Sequence, residues 1–523
     1  MQSVIKKISP LKLIVFLLIL LVVILYSNVL LKYPYQEGGD LFFHTWFSNQ
    51  ISETGQIPQE TATASATSIY SYSPLFHIFL SSVSQVTGTS IPQLIPWLNI
   101  LLVLGLTAAV YILSNLLLNS KVIALLAALL FITRGGTVWF IYFLPRSLSI
   151  LIFLILLITA LICYQKKFID LKKTILLVVL GLSLILTHLF NATFWTTLII
   201  AIALSSLIFV SRHRKFFGRI IFTTLASIIL FAITFSPVIF ANKFPIDPSD
   251  TSWEASASSS SRLSVSFSSI TGVVLLTLLV IGLLVLLNEI RKTKAINFKS
   301  IIFFVWLLLT ILMLNQGVAN YNFFPGRYAD AFILPATMVA ALGFSFLFKK
   351  LAGQQLIANL LAISLVVAVL LPLIKDFNSV QSDFNNYGFS QERIDELINL
   401  QPEISQEIVL SDPITMYYLI SISNTKKPFE YEHTQLTRQK ILDWPITEKL
   451  IRGDAATANE YAKSLQARYV VVSSITQELF AEYDLDKFAE SDKFQRIYQS
   501  EGTEQLNDQG SATVPYFEVY EVL

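Results

Sequence analysis

Hydrophobic and polar positions fall into long blocks along this chain. Apolar runs occupy residues 11–31, 92–118, 121–133, 146–164, 173–190, 192–211, 217–241, 268–288, 299–316, 329–348 and 355–374, separated by short basic or polar connectors. A helix needs roughly 20 apolar residues to cross the hydrocarbon core of a bilayer, so the runs predict about eleven membrane-spanning helices, with the short one at 121–133 extending into its flank. The segment 74–88, PLFHIFLSSVSQVTG, is interrupted by Ser, Gln and His. It reads as an amphipathic helix lying in the outer interface. After residue 376 the long apolar runs stop, and short strand-like runs (EIVLSD, RYVVVSS, YFEVYEV) alternate with helical stretches such as QERIDELINL and ANEYAKSLQARY. The pattern predicts an α-helical polytopic membrane domain over 1–375 and a soluble α/β domain over 376–523.

The basic residues decide how 74–88 is read. With that segment flat on the outer surface, the clusters Lys6/Lys7/Lys12, Lys121, Lys166/Lys167/Lys172/Lys173, Arg212/Arg214/Lys215/Arg219, Arg291/Lys292/Lys294/Lys299 and Lys349/Lys350 all fall on one side. That is the bias expected of cytoplasmic connectors. Counting 74–88 as a span would send every later cluster outside. The expected topology is a multi-pass protein of the plasma membrane with a cytoplasmic amino end and an extracytoplasmic carboxyl-terminal domain. The first run is too long for a secretory signal and lacks an AxA-like end, so it reads as a retained span.

Composition agrees: 54% of residues are hydrophobic and only 14% charged, with a mean hydropathy of +0.63. A formal net charge of +2 gives no reason to expect a nucleic-acid partner. The lone Cys163 excludes a disulfide framework and a thiolate metal site. The Ser-rich insert 242–267 reads either as a flexible linker or as a loop that orders on substrate binding.

Candidate chemistry concentrates in the polar loop 33–92, where Glu37, Asp40 and His44 follow the first span and His77 opens the amphipathic segment. Ionisable groups are costly to hold at a membrane boundary, which makes them candidates for a functional site. If LFFHTWFSNQI is helical, Asp40 and His44 share one face. A carboxylate at a helix start is either an N-cap or a group able to take a proton from a hydroxyl or hold a divalent cation. A histidine such as His44 on its own is more often a hydrogen-bonded packing residue, and Glu37 also reads as a solvated loop acid.

A second set is basic: Lys32, Arg134, Arg146, Lys243, Arg262 and Arg327 lie on the predicted outer side, against the general bias. Arg146 in FLPRSLSI and Arg327 in FFPGRYADA each follow a Pro at the mouth of a span, where a guanidinium either reaches lipid headgroups or grips a phosphate with its planar fork. His188, in ILTHLFN, brings to three the histidines expected at that face, although their spacing is not that of a zinc site. The Asn191-Ala192-Thr193 sequon abuts two spans and carries no function in this reading. Asp412 in LSDPITMYY reads as a strand-end turn residue.

Four features in order make the chain resemble the GT-C superfamily of membrane glycosyltransferases, which includes protein O-mannosyltransferases and oligosaccharyltransferases. A first span leads into a long outer loop with an early acid, EGGDLFFHTWF; a Tyr/Pro-Leu stretch, YSYSPLFHIFLSSVSQVTG, opens an interfacial helix; a second outer loop ends in LPRSLSILIF; and a span closes with LTHLFNATFW. The resemblance implies an inverting glycosyltransferase, hexosyl or pentosyl, that moves a sugar from a polyprenyl-phosphate-linked donor to a glycan, lipid or protein acceptor. It implies Asp40 as the base, Glu37, His44, His77 and His188 as its acceptor or metal neighbourhood, and Arg146, Arg327 and Arg134 as donor-phosphate ligands. The second outer loop, RGGTVWFIYFLPR, holds no acid and the tail no WWDYG. These departures argue against a metal-dependent asparagine-glycosylating enzyme and leave a divalent cofactor (Mg or Mn) open. Two other classes stay in play: a transporter or flippase of lipid-linked glycans, and a non-catalytic cell-envelope assembly protein.

Overall fold

The computed structural model describes residues 10–35, 40–57, 74–134, 142–166, 170–210, 214–241, 270–293, 296–315, 328–351, 390–423, 425, 446–505 and 513–523. Along the chain come α1 (Pro10–Lys32), α2 (Asp40–Thr54), α3 (Leu75–Thr87), α4 (Ile91–Leu118), α5 (Lys121–Arg134), α6 (Pro145–Gln165), α7 (Leu171–Thr187), α8 (Leu189–Phe209), α9 (Arg214–Ala241), α10 (Ile270–Thr293), α11 (Phe298–Leu314) and α12 (Tyr328–Leu351). The remainder is α13 (Gln391–Ile404), β1 (Val409–Leu410), α14 (Pro413–Ile422), a π-helical turn (Thr447–Arg452), α15 (Ala455–Ser464), β2 (Tyr469–Ser473), α16 (Ser474–Leu479), α17 (Lys487–Glu490), β3 (Phe494–Gln499), β4 (Thr503–Gln505), β5 (Thr513–Pro515) and β6 (Phe517–Val522).

Ten of the eleven apolar runs coincide with α1 and α4–α12, while the run 355–374 lies outside the described residues. Seven helices among the described residues are long and apolar enough to cross a membrane, which makes this a multi-pass membrane protein. The expected count of about eleven is not confirmed among the described residues: Lys121–Thr133, Leu171–Thr187 and Phe298–Leu314 fall short of the 18 residues required of a span, and the run 355–374 lies outside the described residues. The segment 74–88 is α3, a helix of 13 residues that buries Phe76, His77, Leu80 and Ser81. It stops at Gly88, whose φ of 66° is the left-handed conformation that glycine adopts without strain.

The chain forms two compact units, Met1–Asn28 with Leu98–Gln381, and Val29–Trp97 with Ser382–Leu523. In the first, α6, α8 and α11 meet at three aromatic rings. Phe153 stacks on Trp195 at 4.1 Å, and Trp306 sits edge-on to Phe153 at 5.4 Å. The Trp306 indole donates to the Ala331 carbonyl on α12 at 3.0 Å, satisfying the one polar atom the ring buries. Helices α10 and α12 touch backbone to backbone: a Cβ added at Gly282 would overlap the Val339 carbonyl, and one at Gly343 the Leu278 carbonyl. Apolar surface gains little by leaving lipid, so close van der Waals approach through small residues is what joins such helices.

The second unit contains the four-stranded sheet β1-β2-β6-β3, with β1 parallel to β2 and the other pairs antiparallel, and the hairpin β4-β5. The five-residue β2 is wholly buried, as its VVV run requires of a central strand. Helix α13 starts on a Ser390 cap and buries Arg393, Ile394, Leu397, Leu400 and Ile404, a stripe at helical spacing. The strands and helices read from EIVLSD, RYVVVSS, YFEVYEV, QERIDELINL and ANEYAKSLQARY all form.

Gly282→Val forces α10 away from α12 and should cost about 1–3 kcal/mol, read as a lower thermal midpoint in detergent. Gly218→Ala, at a helical position with nothing within 4 Å of the added carbon, should leave the midpoint unchanged or raise it.

Candidate functional site

Helix α2 begins at Asp40, as the loop pattern predicts, and it is buried far beyond what its polar sequence suggests. Leu41, Phe42, His44, Thr45, Phe47, Ser48 and Ile51 are all buried. Thr45 and Ser48 donate to the carbonyls of Leu41 and His44 one turn back, at 2.8 and 2.7 Å, so both hydroxyls are satisfied within the helix. The Tyr35 hydroxyl lies 3.1 Å from Thr45 Oγ1, and its ring stacks on Phe42 at 4.3 Å. Burial raises the Tyr35 pKa, against the lowering effect of the Thr45 hydrogen bond.

Two histidines join the helices of this loop. His44 Nδ1 and His77 Nε2 are 2.9 Å apart, joining α2 to α3, with both side chains buried. Phe76 and Phe47 flank the pair, at 5.4 Å from His44 and 4.3 Å from His77 respectively. One imidazole must donate and the other accept, so the two rings share a single proton across this contact. A second proton would remove the acceptor and strand a charge among aromatic rings. Burial accordingly pushes the His77 pKa down to about 3. The reading of His44 as a hydrogen-bonded packing residue is thus correct, and its partner lies 33 residues away.

A second polar cluster lies in the first unit. Arg146 occupies the first turn of α6 behind Pro145, with its side chain half-buried. Asn191 Nδ2 reaches the Arg146 carbonyl at 3.4 Å and Ser149 Oγ at 3.1 Å, tying the start of α8 to the start of α6. His188 caps α8, its Nδ1 accepting from the Asn191 amide at 3.1 Å. The segment before α6 is pinned by Asn99, whose side-chain oxygen accepts from the Phe143 amide at 2.6 Å. The geometry therefore brings Arg146, His188 and Asn191 together, and separately His44 and His77. The side chains of Asp40 and Arg134, and Glu37 and Arg327 entirely, lie outside the described residues. Asn191 is no idle sequon: it is buried and bonds two helix ends. Both asparagines carried a legible signal, a lone amide inside an apolar run.

Asp412 is likewise more than a turn residue. It is fully buried and caps α14, accepting from the amides of Ile414 and Thr415 at 2.9 and 3.0 Å and from the Thr476 hydroxyl at 2.5 Å. Helix α14 in turn lies against α2: Tyr418 meets Phe42 edge-on at 4.3 Å, and Asn49 Nδ2 donates to the Ser421 carbonyl at 3.2 Å. Sequence reasoning missed Tyr418 and Asn49 because nothing local marks a contact across more than 370 residues.

The sign of the acid dependence follows from His77. Its folded pKa is about 3 and the usual value is 6.5, so between those values the unfolded chain binds the proton that the folded chain refuses. The His77 contribution is complete above pH 6.5 and is lost as pH falls, at a slope approaching about 1.4 kcal/mol per pH unit. Thermal melts of the purified protein between pH 7.5 and 4 should show that slope. His77→Phe should flatten it and also lower the midpoint at pH 7.5, because His44 loses its partner.

No family model and no curated protein sequence matches the chain. Comparison with solved structures does find similar folds. The Archaeoglobus fulgidus oligosaccharyltransferase in complex with Zn and sulfate aligns with a TM-score of 0.56 at 12% identity, over 97% of this chain and 88% of the other. Archaeal oligosaccharyltransferase AglB from the same organism, bound to an inhibitory peptide and a dolichol-phosphate, aligns with a TM-score of 0.52 at 13% identity over 88% and 69%. The arabinofuranosyltransferase AftD from Mycobacteria gives 0.54 at 12% identity, with this chain covered to 98% but only 40% of AftD. At such identities the similarity speaks of architecture. The chain shares its fold with the archaeal oligosaccharyltransferase and with AftD.

Proposed function

We propose that the protein is a membrane glycosyltransferase that moves a sugar from a polyprenyl-phosphate-linked donor to a hydroxyl-bearing acceptor, a glycan, lipid or protein, at the extracytoplasmic face. The observation that carries the reading is an acid at the first residue of α2, a helix held by the buried His44–His77 bond, in a chain whose full length follows a glycosyltransferase fold. The one-sided distribution of basic connectors supports a cytoplasmic amino end and an extracytoplasmic carboxyl-terminal domain.

In this mechanism the acceptor oxygen attacks the anomeric carbon from the face opposite the lipid phosphate, inverting the configuration. The C–O bond to the phosphate breaks as the new glycosidic bond forms. Asp40 takes the acceptor proton, and Arg146 balances the charge that develops on the departing phosphate. The resemblance to membrane glycosyltransferases implies Glu37, Arg134 and Arg327 for the same chemistry, and His188 serves by shaping the α8 start beside Arg146. A divalent cation is compatible with the loop acids, but the facing nitrogens of His44 and His77 are spent on each other. The donor arrives activated in its lipid, so no nucleotide-binding motif is needed. Pentosyl and hexosyl donors are both consistent with the reading, since AftD is an arabinofuranosyltransferase and the archaeal neighbours transfer oligosaccharides.

The test uses purified protein with a panel of pentosyl and hexosyl polyprenyl phosphates. Asp40→Asn should lower transfer by about 10²-fold or more while donor binding persists, as expected for loss of a general base; undiminished transfer removes Asp40 from that role. Arg146→Ala should raise the donor KM and lower kcat, with Arg146→Lys intermediate because a lysine keeps the charge but not the fork.

A further inference from the structure

We propose that the carboxyl-terminal domain is the positioning element for Asp40, acting through α14 on α2. The inference rests on the reading of Asp40 as the base and adds which distant part of the chain sets its place.

Helix α2 is gripped on more than one side. Through His44 and Phe47 it holds α3, and through Phe42 and Asn49 it holds α14. The α14 contacts span the helix: Phe42 lies two residues after Asp40, and Asn49 two turns further on. A helix fixed at both points has little freedom to rotate or slide, so its first residue is fixed with it.

Helix α14 is itself anchored to the sheet. Asp412 holds its first amides, and the Thr476 hydroxyl holds Asp412 at 2.5 Å. Thr415 Oγ1 lies 2.6 Å from Ser473 Oγ, Ser473 Oγ lies 3.0 Å from Thr476 Oγ1, and Ser411 donates to the Val471 carbonyl at 2.6 Å. All five side chains are buried. A closed network of this kind, with each member partnered, rigidifies the elements it joins. The far end is held by Ser423, which donates to the Leu397 carbonyl of α13 at 2.8 Å. Mechanical continuity thus runs from β2 through the Asp412 network to α14, and from α14 to the helix that Asp40 begins. Tyr418, Asn49 and Asp412 are positioning residues in this account, because none of them is assigned contact with substrate.

The experiment compares Tyr418→Ala, Tyr418→Phe, Asn49→Ala and Asp40→Asn in the purified full-length protein, under the same lipid-linked sugar assay. Tyr418→Ala should lower kcat about tenfold or more with the donor KM within about twofold of wild type, since a small displacement of a catalytic group costs rate rather than binding. Tyr418→Phe should restore the rate, because the ring makes the contact with Phe42. Asn49→Ala removes one hydrogen bond from a half-buried position and leaves both helices intact, so it keeps the test informative if Tyr418→Ala misfolds; it should lower kcat severalfold at unchanged KM. Wild-type kcat in Asn49→Ala and in a folded Tyr418→Ala, alongside an inactive Asp40→Asn, overturns the positioning role and leaves the proposed function standing. An active Asp40→Asn overturns the parent reading whatever the other variants do.

Discussion

Buried polar groups on α2 are the constraint on which the second unit depends. His44, Thr45 and Ser48 sit inside a shell of Tyr35, Phe42, Phe47 and Phe76, where an unpartnered polar atom costs free energy. Two of the three are satisfied by the helix itself. The third, His44, meets His77, and that requirement brings α3 against α2 and fixes their separation. Burial in that shell disfavours the charged form of His77. The packing of α3 on α2 and the acid sensitivity of His77 both involve this contact.

The first unit solves a different problem. Its helices are apolar nearly throughout, so burial of apolar surface does not distinguish one arrangement from another once the surroundings are lipid. Specific pairing comes from the few positions that depart from that uniformity. Gly282 and Gly343 let two backbones touch, Trp306 spends its indole on α12, and Asn99 and Asn191 fix the segment that leads into α6. The last two hold the backbone from which Arg146 projects. Ser227 adds one more link, donating to the Val178 carbonyl at 3.1 Å where Gly181 leaves room for it.

The proposed transfer from a lipid phosphate asks for an acid and a counter-charge for the phosphate. Neither an acid at a helix start nor an arginine behind a proline is specific by itself. Each candidate element is held within its own unit: α2 by α3 and α14, and the first turn of α6 by Asn191. Catalysis by positioned groups depends on such support at least as much as on the identity of the groups.

Much of this molecule was legible in one dimension. Apolar runs located ten helices because the bilayer imposes length and hydropathy on each span separately, and the interrupted pattern at 74–88 marked α3 as the exception. Alternating runs such as RYVVVSS located the strands, and the loop acid located the start of α2. These are local constraints, each written within about twenty residues. The pairing of His44 with His77, the capping role of His188, the burial of Asp412 and the seating of α2 on α14 were decided only by tertiary structure. The physical reason is that hydrogen-bond satisfaction is a property of the packed chain: a sequence shows which residues need partners, and only the fold, by bringing segments hundreds of residues apart to within 3 Å or so of each other, determines which partners they find.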